Sequence, residues 1–464
     1  MKNILKIIII SIILVSCNND NFLDVIPNGT LIPQTVEDFD MLLEDPFVTY
    51  GVWTNLNYMD PDLYMSDLTY NGLTDMERQL QYEWDESPYG LTEDDKDWID
   101  RYKYIYIFNL IISEIDNADL GNRTESDRSR VKGEAYAQRA FEYFILVNEY
   151  AHQYSSSNLD LAGVPLSLEI DLDAKLSRAT IGEVYDQIEK DLDVAEPLLL
   201  ENAENYNETA NFRPGIASLY GLKALVALHK GEFGSAVTFS DKSLEYYDYL
   251  YDYNTFSLVI PGDPWSGLTI QDFEGNYDNM ECIWNRNLKQ AHFNPASLYS
   301  PALADLYDKT NDLRWTLFSS QTNINGVDVS PNFCFAAFNY YTQSGISTPN
   351  IYLINAEAKV RTGDGSGAIT ILNTLMEKRI ANFTPLTYVD DQTTLQRIKE
   401  ERRKELRMTG NNLIDLKRYH AYGEVIDTYT RTNPSGEVFT LEPGSDKYVV
   451  PISEKIKLIN PNLN

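Results

Sequence analysis

Apolar positions recur with the period of an α-helix through much of the chain. Trp98, Tyr102, Ile105 and Asn109 step by four, three and four residues, which places them along one helical face. Similar stretches follow at about 126–150, 180–200, 212–230, 233–248, 350–362, 366–380 and 391–408. Thr180 stands three residues ahead of Glu183, the spacing at which a threonine hydroxyl and a glutamate satisfy the free N–H groups of a helix start. The pattern predicts a mainly α protein.

Two of these stretches repeat one another. Tyr220, Ala224, Gly231 and Ala236 recur as Tyr352, Ala356, Gly363 and Ala368, in the common form Tyr-x3-Ala-x6-Gly-x4-Ala. A bulky residue and alanines on facing sides of two helices, with glycine at the turn, describe an αα-hairpin of tetratricopeptide kind and predict an α-solenoid scaffold. Segments at about 50–90 and 250–345 break the pattern, being rich in Tyr, Trp, Asn, Asp, Pro and Gly. Long irregular insertions in a repeat protein usually carry function, so the ligand is expected there.

The N-terminus has a different pattern. Lys2 and Lys6 precede an apolar run from Ile7 to Val15, interrupted only by Ser11, and then Ser16-Cys17. Nine residues at about 1.5 Å rise cannot cross a hydrocarbon core of about 30 Å, so the run is read as a secretory signal. Leu14-Val15-Ser16-Cys17 is similar to the bacterial lipobox, with Cys17 as the acyl acceptor. The predicted organisation is a signal peptide over 1–16, a lipidated extended leader over 17–50 and one domain over 51–464. Within that domain the helical repeats lie at about 91–250 and 350–420.

Without residues 1–16 the chain carries 36 basic and 70 acidic side chains, a formal charge of −34. Such a surface repels phosphate backbones, so no nucleic-acid partner is expected. Cys282 and Cys334 are too few for a disulfide framework or a four-cysteine zinc site, and read as one disulfide or, with slight preference, two buried thiols. His152, His229, His292 and His420 are scattered outside any metal or nucleophile motif, and His229 reads as a packing residue. No cofactor, metal or catalytic residue is predicted, although 70 carboxylates leave a glycosidase-like pair as a minor alternative.

The positive signal is aromatic, with 32 Tyr and 6 Trp. A ring face that stacks on the C–H face of a sugar, with polar groups around its rim, is what a carbohydrate site needs, and peptide sites use the same rings. The candidates are Trp53, Tyr58, Tyr64, Tyr70, Trp84, Trp265, Phe273 and Tyr277, with Tyr50, Tyr89 and Phe293 in the same segments. Trp53 and Trp265 rank first, because Gly51, Asn55, Pro264 and Gly267 suggest exposed loops, and the two are expected on one ligand-contacting surface. Trp98 is assigned to a helix core. The Glu400–Arg407 run reads as a solvated helix face.

Six blocks in order resemble the SusD/RagB family. Phe22-Leu23-Asp24 through Pro27, Gly29 and Thr30 is similar to its opening, and Gly133-Glu134-Ala135 with Arg139-Ala140 and Tyr143-Phe144 to one of its helices. Ser177-Arg178-Ala179-Thr180 with Glu183-Val184-Tyr185, and Tyr352-Leu353-Ile354 through Gly363-Asp364, resemble two further stretches. Glu401-Arg402-Arg403 with Asp415-Leu416-Lys417-Arg418, and Pro451-Ile452-Ser453 with Asn460-Pro461-Asn462-Leu463, resemble the last two. Thr409–Ile414 departs from the pattern, lacking the basic or histidine residue and the Trp common before the aspartate. The resemblance implies a tetratricopeptide-type scaffold and a non-enzymatic, lipid-anchored outer-membrane receptor. It would pass a glycan to a SusC-like TonB-dependent transporter. A RagB-like peptide receptor, a helical-repeat adaptor and a surface glycosidase are the alternatives.

Overall fold

The computed structural model describes residues 33–201, 210–270, 279–289, 298–336 and 341–463. About 52% is helical, in sixteen helices. Four short ones come first: α1 (Val36–Leu42), α2 (Thr54–Met59), α3 (Asp67–Gly72) and α4 (Met76–Tyr82). The long scaffold helices α5 (Lys96–Glu114), α6 (Glu125–Tyr150), α7 (Ile181–Leu200), α8 (Ile216–Lys230) and α9 (Phe233–Tyr246) follow. After α10 (Pro301–Ala304) and α11 (Leu313–Phe318) the scaffold resumes with α12 (Thr348–Arg361), α13 (Gly365–Glu377), α14 (Asp391–Glu405) and α15 (Asn411–Ala421), and α16 (Glu454–Ile459) ends it.

Helices adjacent in sequence pack as pairs, α5 on α6, α6 on α7, α8 on α9 and α12 on α13. The predicted repeat is present: Gly231 (φ +77°) and Gly363 (φ +87°) sit in the left-handed region at the ends of α8 and α12, where glycine bears no Cβ penalty. Ala224, Ala236, Ala356 and Ala368 are fully buried where the helices approach. The two hairpins join through α9 and α12, where Asn355 Nδ2 donates to Ser240 Oγ at 2.8 Å. The Thr180 capping box forms as expected, with Thr180 N–H donating to Glu183 Oε2 at 2.8 Å and Glu183 N–H to Thr180 Oγ1 at 3.2 Å.

Three expectations need correction. Residues 36–42, read as extended leader, form α1, because Thr35 and Asp38 close a capping box and Val36 and Phe39 are buried. The 50–90 insertion contains α2, α3 and α4, helices of six or seven residues that are too short to show a 3.6-residue period. The Glu400–Arg407 run is not a solvated face, since Glu401, Arg402 and Lys404 are buried among the scaffold helices. Cys282 and Cys334 are buried free thiols, and His229 packs edge-on against Phe144 at 5.0 Å.

Short strands tie the insertions together. β1 (Leu63–Tyr64), β2 (Cys282–Trp284), β3 (Asn287–Lys289), β4 (Leu298–Tyr299), β5 (Ser319–Ser320) and β6 (Cys334–Phe335) appear in chain order. The antiparallel order β1-β4-β6-β5 makes one sheet from both insertions, with Leu63 opposite Tyr299 and Tyr64 opposite Leu298. Beneath it Tyr58, Tyr82, Tyr299, Tyr307 and Trp315 pack with Leu63 and Met65 into a small aromatic core. Two loops more than 200 residues apart become one platform.

Candidate functional site

The platform opens into a cleft of about 500 Å³, within the range of about 300–1,000 Å³ common for ligand sites. One wall is α3 and the start of α4, supplying Ser66, Leu68, Thr69, Asp75 and Arg78, with Tyr58 behind them. Opposite stands the turn region 323–332, supplying Asn323, Val327, Ser330 and Asn332. Asn323 shapes that turn, because its Oδ1 accepts from the N–H groups of Asn325 and Val327, and Gly326 takes the required φ of +75°. Leu68 and Val327 are exposed at the rim.

Of the predicted site residues that are described, only Tyr58 lines this cleft. Its ring is buried beneath Arg78, whose guanidinium carbon lies 5.0 Å from the ring centroid, and burial pushes the phenol up to about 12. Trp53 is not in an exposed loop: it is 2% exposed, with its indole N–H donating to the Ile145 carbonyl of α6 at 3.4 Å. Trp84, 1% exposed, donates to the Met59 carbonyl at 2.7 Å and lies under the Arg431 guanidinium. A buried indole needs such an acceptor: Trp53 pins the insertion to α6, while Trp84 bonds the insertion's own α2. Trp98, at 6%, is helix core as expected.

Tyr64 is held in β1, and the Tyr70 hydroxyl donates to Glu83 Oε1 at 2.5 Å while its ring packs edge-on against Tyr82. Trp265 is half-buried and braces the turn region from behind, its Nε1 donating to the Thr322 carbonyl at 2.6 Å. Trp53 and Trp265 therefore do not share an exposed surface. Phe273 and Tyr277, like Phe293 and Cys17, lie outside the described residues. The sequence reading followed rings and so missed the hydroxyls, amides and aliphatic groups of the cleft. The Asn325-Gly326 pair was the available signal, since that dipeptide favours a tight turn.

Two carboxylates, Asp75 and Asp328, line the cleft. Asp328 is held below the ordinary carboxylate range by hydrogen bonds from the Ser330 hydroxyl and N–H, which favours an ionised acceptor and not a proton donor. The Asn332 side chain makes no hydrogen bond to the described residues and stands at the cleft wall. Among the described residues no group of three or more His, Cys, Asp or Glu is placed to hold a metal ion.

Residues 21–228 match the family described as "Starch-binding associating with outer membrane", and residues 348–458 match the SusD family. The chain belongs to the SusD/RagB family. Solved relatives agree in fold. A SusD-like carbohydrate-binding protein of Bacteroides vulgatus is 22% identical, with a TM-score of 0.69 over 93% of this chain and 97% of that one. A SusD superfamily protein of Bacteroides thetaiotaomicron is 19% identical, with a TM-score of 0.72 over 93% and 99%. A laminarin-binding SusD-like protein is 19% identical, with a TM-score of 0.57 over 83% and 91%. No curated protein matches the sequence. This SusD/RagB protein is thus a member of a carbohydrate-binding, outer-membrane-associated family with a mainly α, tetratricopeptide-like fold. No helix among its described residues is long and apolar enough to cross a membrane.

Proposed function

We propose that this protein is a cell-surface lipoprotein, acylated at Cys17, that captures an oligosaccharide and delivers it to a SusC-like TonB-dependent transporter without transforming it. The observation that carries the reading is the cleft itself, in which two insertions about 250 residues apart in the chain face one another across a space lined by hydroxyls, amides and aliphatic side chains. Alternating small polar groups and aliphatic patches fit a molecule with hydroxyls on its edges and C–H groups on its faces. The carbohydrate-binding relative and the laminarin-binding relative support a glycan, and the family's outer-membrane association supports the anchor.

The test is calorimetry on residues 18–464 with laminari-, malto-, xylo- and cello-oligosaccharides and with oligopeptides. A glycan should bind with micromolar to millimolar affinity, and Leu68→Arg, which projects a long cation into the rim, should abolish it. Binding of oligopeptides and no glycan would replace the reading with a peptide receptor, and turnover of any glycan would end the non-catalytic part. For the anchor, Cys17→Ala should lose incorporation of labelled palmitate and leave the outer-membrane fraction, because each buried methylene contributes about 0.8 kcal/mol of membrane affinity.

A further inference from the structure

Arg78 belongs to more than one cleft. Its side chain is nine-tenths buried, and Nη1 donates to Asn55 Oδ1 at 3.0 Å and to Gln81 Oε1 at 2.8 Å. Nε has no hydrogen-bond partner, and Nη2 donates to none of the described residues. The buried Nε loses its hydration without compensation from the described residues. The same residue forms part of the wall of a second cleft, of about 370 Å³, between the turn at Pro46–Thr49 and the first turns of α5.

The second cleft has the parts the first lacks. Phe47 and Tyr50 stand at it with ring centroids 5.6 Å apart and planes inclined by 44°, and Phe47 is 66% exposed. Large apolar rings are rarely left in water, and a sugar's C–H face is one surface that covers them. Asp97, only 4% exposed, contributes a carboxylate that accepts from the Asn55 N–H at 3.3 Å through Oδ2. Its Oδ1 faces Gly51, where a side chain would stand 3.6 Å away, so glycine there keeps the approach open. Asp100, Lys96 and Lys103 complete the lining. Carboxylates beside cations suit a neutral ligand whose neighbouring hydroxyls donate to one and accept from the other.

We propose that this second cleft is a further subsite for an uncharged sugar unit, sharing Arg78 with the first, so that a long oligosaccharide engages both. The inference rests on the reading of the first cleft as a glycan site. It assigns to Phe47 the stacking platform, to Asp100 the hydroxyl acceptor, and to Arg78 the donor common to both subsites.

Calorimetry on residues 18–464 tests it, using the two-sugar and seven-sugar members of whichever laminari-, malto-, xylo- or cello-series binds. Phe47→Ala and Asp100→Ala should weaken the seven-sugar ligand several-fold with an unchanged melting temperature, while Asn332→Ala in the first cleft weakens both lengths. Equal seven-sugar affinity in wild type, Phe47→Ala and Asp100→Ala would overturn the second subsite. If Asn332→Ala and Leu68→Arg still weaken binding in that case, the first-cleft reading stands and only this inference falls. Absence of binding by every series would remove both.

Discussion

Two buried polar networks in this protein have the same degree of burial and opposite electrostatics. Beneath the insertion, Asn55 Nδ2 donates to Asp95 Oδ1 at 3.2 Å and to Glu149 Oε1 at 2.7 Å, and its N–H donates to Asp97. Three carboxylates meet there, while Arg78 spends Nη1 on two amide oxygens. Burial, then the neighbouring Asp95, pushes Asp97 up to about 7, and burial with Asp97 and Asp95 pushes Glu149 well above the usual range. At the C-terminal end, Arg314 bonds Asp312, Glu401 and Glu405, and Arg418 bonds Glu357 and Asp415. Burial alone would raise Glu401 there too, but Arg314, Lys404 and Arg397 overcome it and hold it down to about 2. Glu357 is likewise held far below its usual range once Arg418 and Arg361 outweigh its burial. The teaching is that burial does not set the direction of a carboxylate's shift; the number of guanidinium and ammonium donors that reach it does. Glu357 and Glu401 are thus ionised members of a brace, while Asp97 beneath the clefts is pushed up to near neutrality.

The largest expected effect breaks the brace. Arg418→Met leaves the buried Glu357 with Arg361 and the buried Asp415 with Arg402 as their remaining bonded cations, and removes three charge-assisted hydrogen bonds at once, so urea unfolding should show a loss of about 3–5 kcal/mol. A loss under about 1 kcal/mol would mean the network is not the brace described. Next in size, Trp53→Ala should cost about 3–5 kcal/mol, as for a buried aromatic, and should match Trp98→Ala. An unchanged melting temperature for Trp53→Ala would restore the exposed-loop reading of that residue.

A smaller effect separates the networks by pH. Asp97 and Glu149 have folded pKa values raised above their unfolded ones, so the native state holds extra protons, and the part of this stabilisation due to Asp97 is lost as pH rises through about 7. The groups facing them are Asn55, Arg78, Tyr89, Asp95, Arg101, Tyr150 and Lys417. Lys417, which burial pushes down to about 7, contributes with the opposite sign above that pH, so the useful window is pH 5 to 7. Glu401 has a depressed pKa and its contribution is lost only as pH falls through about 2, so Glu401 is silent in that window, whereas Glu281 beside Arg379 and Asp60 beside Asp62 are pushed up to about 7 by burial and add to the slope. Asp97→Asn, which keeps an acceptor for the Asn55 N–H, should reduce the fall in melting temperature between pH 5 and 7, and an unaltered slope would assign the titration elsewhere. The smallest effect on stability, under about 0.5 kcal/mol, is expected for Asn332→Ala, whose consequence should appear in glycan affinity alone.

Much of the scaffold could be read from local chemistry. The helix starting after Thr180 and the turns at Gly231 and Gly363 depend on groups within about four residues of each other, so their residue types and spacing determine them wherever the segment packs. The same holds for the two-hairpin repeat and the helical face from Trp98 to Asn109. Burial depends on partners distant in sequence. Trp53 is inside because α6 presents the Ile145 carbonyl 92 residues away, and Glu401 is inside because Arg314 reaches it across 87 residues. Gly51 and Asn55 beside Trp53 signalled a turn correctly, since Trp53 itself takes φ +59° at the start of α2, but a turn can face inward as well as outward. Likewise, composition located both insertions, whereas only the pairing of β1 with β4 brings Ser66 and Arg78 opposite Asn323 and Asn332. Local hydrogen bonding and periodicity are written in adjacent residues; which side chains lose water is decided by what folds over them.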